Sequence, residues 1–275
     1  MHRLFRDEDY APRMSLSRGS VADFFAPRAE DGPLLEARRE ALASHPERTL
    51  AFLPDAGAEL AETAEVLEAA DLARLPSRGM PDALLRGLGG SFAPDLLVLG
   101  PRGECLVLVA GAVCFPSSWS LEEKLGRTLP AIHAPVPGLE DSLGPAIARF
   151  LDALPVGDAY LRSNFGLAAS AALDQHPLAD VPRLGVGADL EEVHVRIEDQ
   201  AFVRLPRTRG VLFGIRIRTF PLLALRDDRA ALVGLRRALA SMPEPMAAYK
   251  GLREVRAPLV ERLGALLGEP DSPSA

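Results

Sequence analysis

The sequence is poor in thiols, with two cysteines in 275 residues, Cys105 and Cys114. Two are too few for a disulfide framework, a zinc site built on thiolates or a ferredoxin-type cluster. Positive charge is not in excess: 31 Lys and Arg stand against 38 Asp and Glu, a net charge of -7. Nothing in that balance draws in a nucleic-acid backbone or an anionic membrane. Long apolar runs are missing too. The longest uncharged stretch, Cys105 to Leu121, is shorter than a bilayer needs and contains Gly111, Pro116 and Ser117. Met1 to Asp9 alternates charged and apolar residues and has no secretory h-region, so a cytoplasmic protein without a membrane partner is expected. No G-x-G-x-x-G follows a strand pattern, and neither G-x-x-x-x-G-K-[ST] nor G-x-S-x-G occurs. Aromatic residues make up only 5%, with a single tryptophan, Trp119. What is present is ordinary globular material, 48% hydrophobic and 25% charged, enough to bury a core without covalent staples.

Periodicity orders that material along the chain. Pro33 to Leu75 reads as helices, with Leu60, Ala64, Leu67 and Ala70 on one stripe. Leu96–Leu99 and Cys105–Val109 are short β-type runs joined by Gly100-Pro101-Arg102-Gly103, the chemistry of a hairpin turn. Ser120-Leu121-Glu122-Glu123 has the capping-box pattern and predicts a helix from Leu121. Leu143, Ile147, Phe150, Leu151 and Leu154 mark another helix, with Glu140 and Asp141 near its start and Pro145 blurring where it begins. Val193 to Leu205 and Val211 to Phe220 alternate with period two and form a second hairpin. Leu252, Val255, Leu259, Leu263 and Leu266 mark a C-terminal helix, and the tail Glu269 to Ala275 is of low complexity. Strands arriving in antiparallel pairs around a helical excursion imply an α+β fold with one antiparallel sheet. One domain over residues 1–275 accommodates this, with a core at about 90–225 and helical covers at 1–89 and 226–268.

Alternation places His194, Arg196, Glu198, Gln200, Phe202 and Arg204 on one face of their strand. With the following turn centred near Thr208, Glu198 faces Arg218 and Gln200 faces Arg216. A solvated face with cross-strand ion pairs, each worth roughly 0.2 to 1 kcal/mol, is one reading of that pattern. Five histidines are present and no two have the i, i+4 spacing of a helical metal pair. His133 lies in Ile132-His133-Ala134-Pro135-Val136-Pro137-Gly138, where two prolines stiffen the segment that presents the imidazole. It is either an axial metal ligand or a histidine bonded to backbone. Cys114 ends an apolar run, where a thiolate is unfavourable, and is set aside as a haem ligand.

Eight blocks carry a family likeness: Cys114–Trp119, Lys124–Arg127, Ile132–Gly138, Arg162–Gly166, Arg196–Gln200, Arg204–Thr208, Phe213–Arg216 and Tyr249–Leu252. In order, from about Pro94 to Leu252 and with a weaker echo in Tyr10 to Leu16, they resemble the haem-dependent oxidative N-demethylase family, which includes the haem subunit of dimethylamine monooxygenase.

That resemblance implies a PAS-like antiparallel sheet with inserted helices, holding haem b. It implies a monooxygenase component that oxidises a small amine with dioxygen, removing an N-methyl group, with electrons from NADPH through a separate flavin and iron-sulfur reductase. The alternatives are a haem-based gas or redox sensor on the same fold, and a same-fold haem enzyme with another oxidation such as N-oxygenation. Carried onto this sequence, His133 is the expected iron ligand, with His194 as the alternative. Glu198 is expected to hold a cationic amine, and Arg216 a haem propionate or iron-bound oxygen. Lys124, Arg162 and Arg196 are candidates for propionate contacts, and Trp119 for the haem pocket or for packing. Asp199 stands where the family has arginine, and Phe165 where tryptophan is usual.

Overall fold

The computed structural model describes residues 4–72 and 79–268. Its strands are β1 (Ser17–Gly19), β2 (Leu50–Phe52), β3 (Asp95–Arg102), β4 (Cys105–Ala112), β5 (Ala159–Ala168), β6 (His194–Arg204) and β7 (Val211–Pro221). Its helices are α1 (Val21–Phe25), α2 (Gly32–Ser44), α3 (Pro46–Thr49), α4 (Gly57–Ala69), α5 (Pro81–Ser91), α6 (Leu129–His133), α7 (Leu139–Ala153), α8 (Arg229–Ser241), α9 (Glu244–Tyr249) and α10 (Arg256–Leu266). The seven strands form one sheet in the order β1-β5-β6-β7-β3-β4-β2, antiparallel at every pairing. The α+β class and both expected hairpins are therefore present. The end of the expected helical run, 73–75, and the tail from Glu269 lie outside the described residues.

The sheet separates two unlike layers. On the face that carries Glu198, α7 stands over β5 to β7 with α6 beside it against β4, and Leu151 and Leu154 pack with Leu97, Leu99, Ile215 and Ile217. The opposite face holds two apolar clusters. Phe24, Phe25, Leu60, Leu84 and Leu88, from α1, α4 and α5, cover Leu96, Val98, Val203 and Leu212. Leu232, Leu235, Met246, Leu259 and Leu263, from α8 to α10, cover Val195 and Ile197. Phe5 joins the latter cluster, and the chain start is tied down there: the Tyr10 amide donates to Ser241 Oγ at 2.8 Å, and Arg237 pairs with Asp7 and Asp9. Gly234 is required at that junction, because a Cβ on it would stand 2.4 Å from the Phe5 carbonyl oxygen.

Three local expectations change. The second hairpin is offset by one residue: Asp199 lies opposite Arg216 and Glu198 opposite Ile217. Glu62 of α4 fixes the turn, accepting from the Arg207 amide at 2.5 Å, the Thr208 amide at 2.8 Å and the Thr208 hydroxyl at 2.6 Å. Arg209 adopts φ 61° and Leu205 N bonds Gly210 O at 2.9 Å, closing a loop that pairs Arg204 with Val211. A slip of one residue reverses which face each side chain occupies. Second, Leu121 to Gly126 forms turns in place of a helix. The Ser120 hydroxyl is buried without a hydrogen-bond partner, and Gly126, at φ 76°, sends its amide to Leu108 O at 2.8 Å. The segment is thus drawn onto the edge of β4 beyond the point where β2 stops. Third, β1, β2 and β5 are strands without a clear sequence signal, and β5 is long and central to the site described next.

Candidate functional site

Strand β5 pairs Arg162 with Gln200, Asn164 with Glu198 and Gly166 with Arg196, so these six residues share one face. Glu198 accepts from Gln200 Nε2 at 3.0 Å. Four cations bear electrostatically on its carboxylate: Lys124, from the turns after β4, Arg162 of β5, Arg196 of β6, and Lys250, just after α9. Burial lowers the pKa of each of the four, and the Glu198 charge opposes that shift in every case. Tyr249 also couples to Glu198, and Tyr10 to Arg162; burial pushes both phenols up.

Arg196 is the one member of this group with a hydrogen bond at every guanidinium nitrogen. It donates to Phe115 O at 2.7 Å, Ser117 Oγ at 2.7 Å, and Pro116 O and Ala172 O at 3.3 Å each. These bonds clamp the chain leaving β4. Lys124, Arg162 and Lys250 have no carboxylate within ion-pair distance among the described residues, and Arg162 Nε is buried with no hydrogen-bond partner at all. Lys124 Nζ instead sits 4.7 Å from the centre of the Trp119 ring.

His133 ends α6 on this same side. Burial, and then the nearby charges of Lys124 and Arg162, press its pKa down to about 4. The imidazole is therefore neutral at physiological pH, the form that can offer a nitrogen lone pair to a metal. Behind it, α7 does not seat fully on the sheet. Leu151 is its one fully buried residue, and α6 has none. Ile132, Ile147, Phe150, Tyr160, Phe202 and Phe213 all remain partly exposed along the junction. Phe150 stands edge-on to Tyr160 and Phe202 at 5.7 and 5.6 Å, and Phe202 stacks on Phe213 at 4.7 Å. The result is an apolar seam lined by flat rings, with cations and a neutral imidazole at its polar end.

The structure thus brings Lys124, His133, Arg162, Glu198 and, through Lys124, Trp119 into one place. It separates two others. Arg216 is on the opposite face, buried, donating to Asp31 Oδ1 at 2.6 Å and Phe24 O at 3.2 Å. The one-residue offset in β7 is the reason. His194 begins β6, four residues and about 13 Å of strand from Glu198. Its Nδ1 lies 3.3 Å from Glu192 O. Asp199, the departure next to Glu198, also faces away, accepting from Ser163 Oγ and Arg218 Nε at 2.6 Å each. A surface cleft of about 280 Å³ lined by Cys105, Arg204 and Arg209 lies at the hairpin ends, away from this cluster.

Sequence reasoning gave no role to Tyr10, Gln200, Tyr249 or Lys250. Gln200 could have been found from its i+2 relation to Glu198 on a strand. For Lys250 the signal is compositional: Lys124 and Lys250 are the only lysines in the chain, and both come to this site.

Residues 64–260 match the family model described as haem-dependent oxidative N-demethylase, alpha subunit-like. The matched span contains Lys124, His133, Arg162, Glu198 and Lys250. Among the described residues no helix is long and apolar enough to cross a membrane.

Proposed function

Because the chain belongs to the haem-dependent oxidative N-demethylase alpha-subunit-like family, we propose that it is the haem-carrying component of a monooxygenase that removes an N-methyl group from an amine. The residues present fit such a cofactor. An apolar seam with flat rings suits a porphyrin, and His133 is neutral. Lys124, Arg162, Arg196 and Lys250, none of them in an ion pair among the described residues, are set against the single Glu198 carboxylate, a surplus of positive charge that cofactor propionates would offset. The observation that carries the reading is Arg162 Nε, buried and unpartnered in this cluster. A PAS-like core is supported by the strand order β5-β6-β7-β3-β4 with α6 and α7 inserted between β4 and β5.

In this reading His133 holds the iron, and Arg162 and Lys124 face the cofactor carboxylates. Bound haem supplies the activation of dioxygen that the side chains cannot provide. The remaining tasks belong to the protein. Glu198, oriented by Gln200, holds the ammonium form of the substrate, or takes its proton so that the nitrogen lone pair is free. The ring-lined seam excludes water from the methyl group being oxidised. Overall, an N-methylamine, O2, two electrons and two protons give the demethylated amine, formaldehyde and water. Two cysteines cannot build an iron-sulfur relay, so the electrons come from a partner, for which NADPH through a flavin and iron-sulfur reductase is the expected source.

The test is haem reconstitution followed by an optical titration with secondary and tertiary amines. One haem per chain is expected, with a Soret band that shifts on amine addition. His133→Ala should lose the ligation signature while His194→Ala keeps it. A chain that takes up no haem ends this reading, and loss in His194→Ala alone moves the ligand. An amine response undiminished in Glu198→Ala removes Glu198 from substrate binding.

A further inference from the structure

Lys250 reaches the site from the other layer. It follows α9, in the C-terminal helices that cover the face opposite Glu198, and its amine comes round the outer edge of β5. That edge is open here, because β1 pairs only with Ala159 to Leu161. Lys250 Nζ donates to Phe165 O at 2.8 Å and lies 5.7 Å from the Phe165 ring centre. An ammonium has three N–H donors, and one bond to a carbonyl leaves two.

Such a group is costly to bury without a counter-charge. Glu198 and Arg162 both act on it from beyond contact distance, one favouring its charge and one opposing it. Every cation of this chain other than Lys124 and Lys250 is an arginine or histidine. Arginine's rigid fork needs a matching planar approach, whereas a lysine head is a compact charge on a flexible stem with three rotatable donors, able to meet a carboxylate oxygen from several directions. Unused donors, partial burial and lack of an acidic neighbour at ion-pair distance describe a half-made anion site.

We propose that Lys250 anchors a carboxylate of the ligand bound beside Glu198, so that the C-terminal helices complete the site. This rests on the haem reading for the location of the ligand. The carboxylate has two possible sources with the same chemistry: a propionate of the cofactor, or the acid group of an N-methylated amino acid whose ammonium lies on Glu198.

The experiment uses the full-length wild-type chain and its shortage of lysines. Acetylation of Lys124, Lys250 and the amino terminus is followed by mass spectrometry, alone and with three probes: iron-free protoporphyrin IX, its dimethyl ester, and N-methylglycine. If the cofactor supplies the carboxylate, the free-acid porphyrin protects Lys250 and the ester does not. The acid should then bind roughly tenfold or more tightly than the ester, a preference that Lys250→Met reduces and Lys250→Arg partly keeps. If the substrate supplies it, N-methylglycine protects Lys250 and dimethylamine at equal concentration does not. Protection of Lys250 by none of these, with Lys250→Met leaving the affinities unchanged in a protein of wild-type circular dichroism, overturns the proposal. A wild-type chain that binds neither haem nor porphyrin overturns the haem reading instead, and N-methylglycine protection still decides the role of Lys250.

Discussion

Arg216 Nη1 and Asp31 Oδ1 form a buried ion pair at 2.6 Å on the side of the sheet turned away from Glu198. The pair ties β7 to the turn after α1, beside Gly214, where a Cβ would stand 2.7 Å from the Phe24 and Phe25 rings. Removing Asp31 leaves a buried guanidinium without its counter-ion. Asp31→Ala should cost about 3–5 kcal/mol in urea unfolding. Amine-induced spectral changes in the haem-loaded protein should persist in the folded fraction. Loss of that response without loss of stability would return Arg216 to the site.

Glu62 gives a pH dependence. Burial raises its pKa, but the Thr208 hydroxyl, the Thr208 and Arg207 amides and the Arg207 charge outweigh that and hold it below the usual carboxylate range. With the folded value depressed, its contribution to stability is fully present above the unfolded pKa, near 4.3. That contribution is lost as pH falls through the lower, folded value. Glu62→Gln should lose about 1–3 kcal/mol at pH 7 and show a shallower decline in stability on acidification. Urea melts across the acid range measure both.

The two cysteines should differ sharply towards a thiol reagent. Cys105 is exposed, whereas Cys114 is buried and its thiol is pushed up to about 12, by burial first. One equivalent should react in the native protein and two after unfolding in denaturant. Rapid reaction of both in the native state would show that the chain around Cys114 opens readily.

Trp119 is the sole tryptophan and touches a site cation, Lys124. Its emission should fall as haem is added and level off at one equivalent. Lys124→Met, which removes a contact worth about 0.5–2 kcal/mol, should alter the emission of the haem-free protein. Emission unchanged by saturating haem would place the cofactor away from Trp119.

The parts of this fold that were legible in the sequence are those with a clean period. β6 and β7 alternate apolar and polar residues, and α7 has a continuous stripe, so all three stand close to their expected limits. β5 was hidden because Arg162, Ser163 and Asn164 put polar groups on both faces and Gly166 weakens the strand signal. The offset of the second hairpin came from Glu62, 145 residues before Arg207, which local patterning cannot see. It is the reason Arg216 was expected on the wrong face. His133 and Glu198 were singled out by motif, but their common neighbourhood depends on β5 and on Lys250, which the topology supplies and no local spacing announces.

The bond from Tyr10 to Ser241 and the ion pairs from Arg237 to Asp7 and Asp9 join chain segments separated by some 230 residues. Contacts at such separation form late, because the loop between them must first be closed. During synthesis the sheet can assemble as soon as β7 has emerged, while the chain start waits for α8. Lys250 arrives later still, so a nascent chain would hold Arg162 and Glu198 on a finished sheet face before the amine that completes their surroundings is in place.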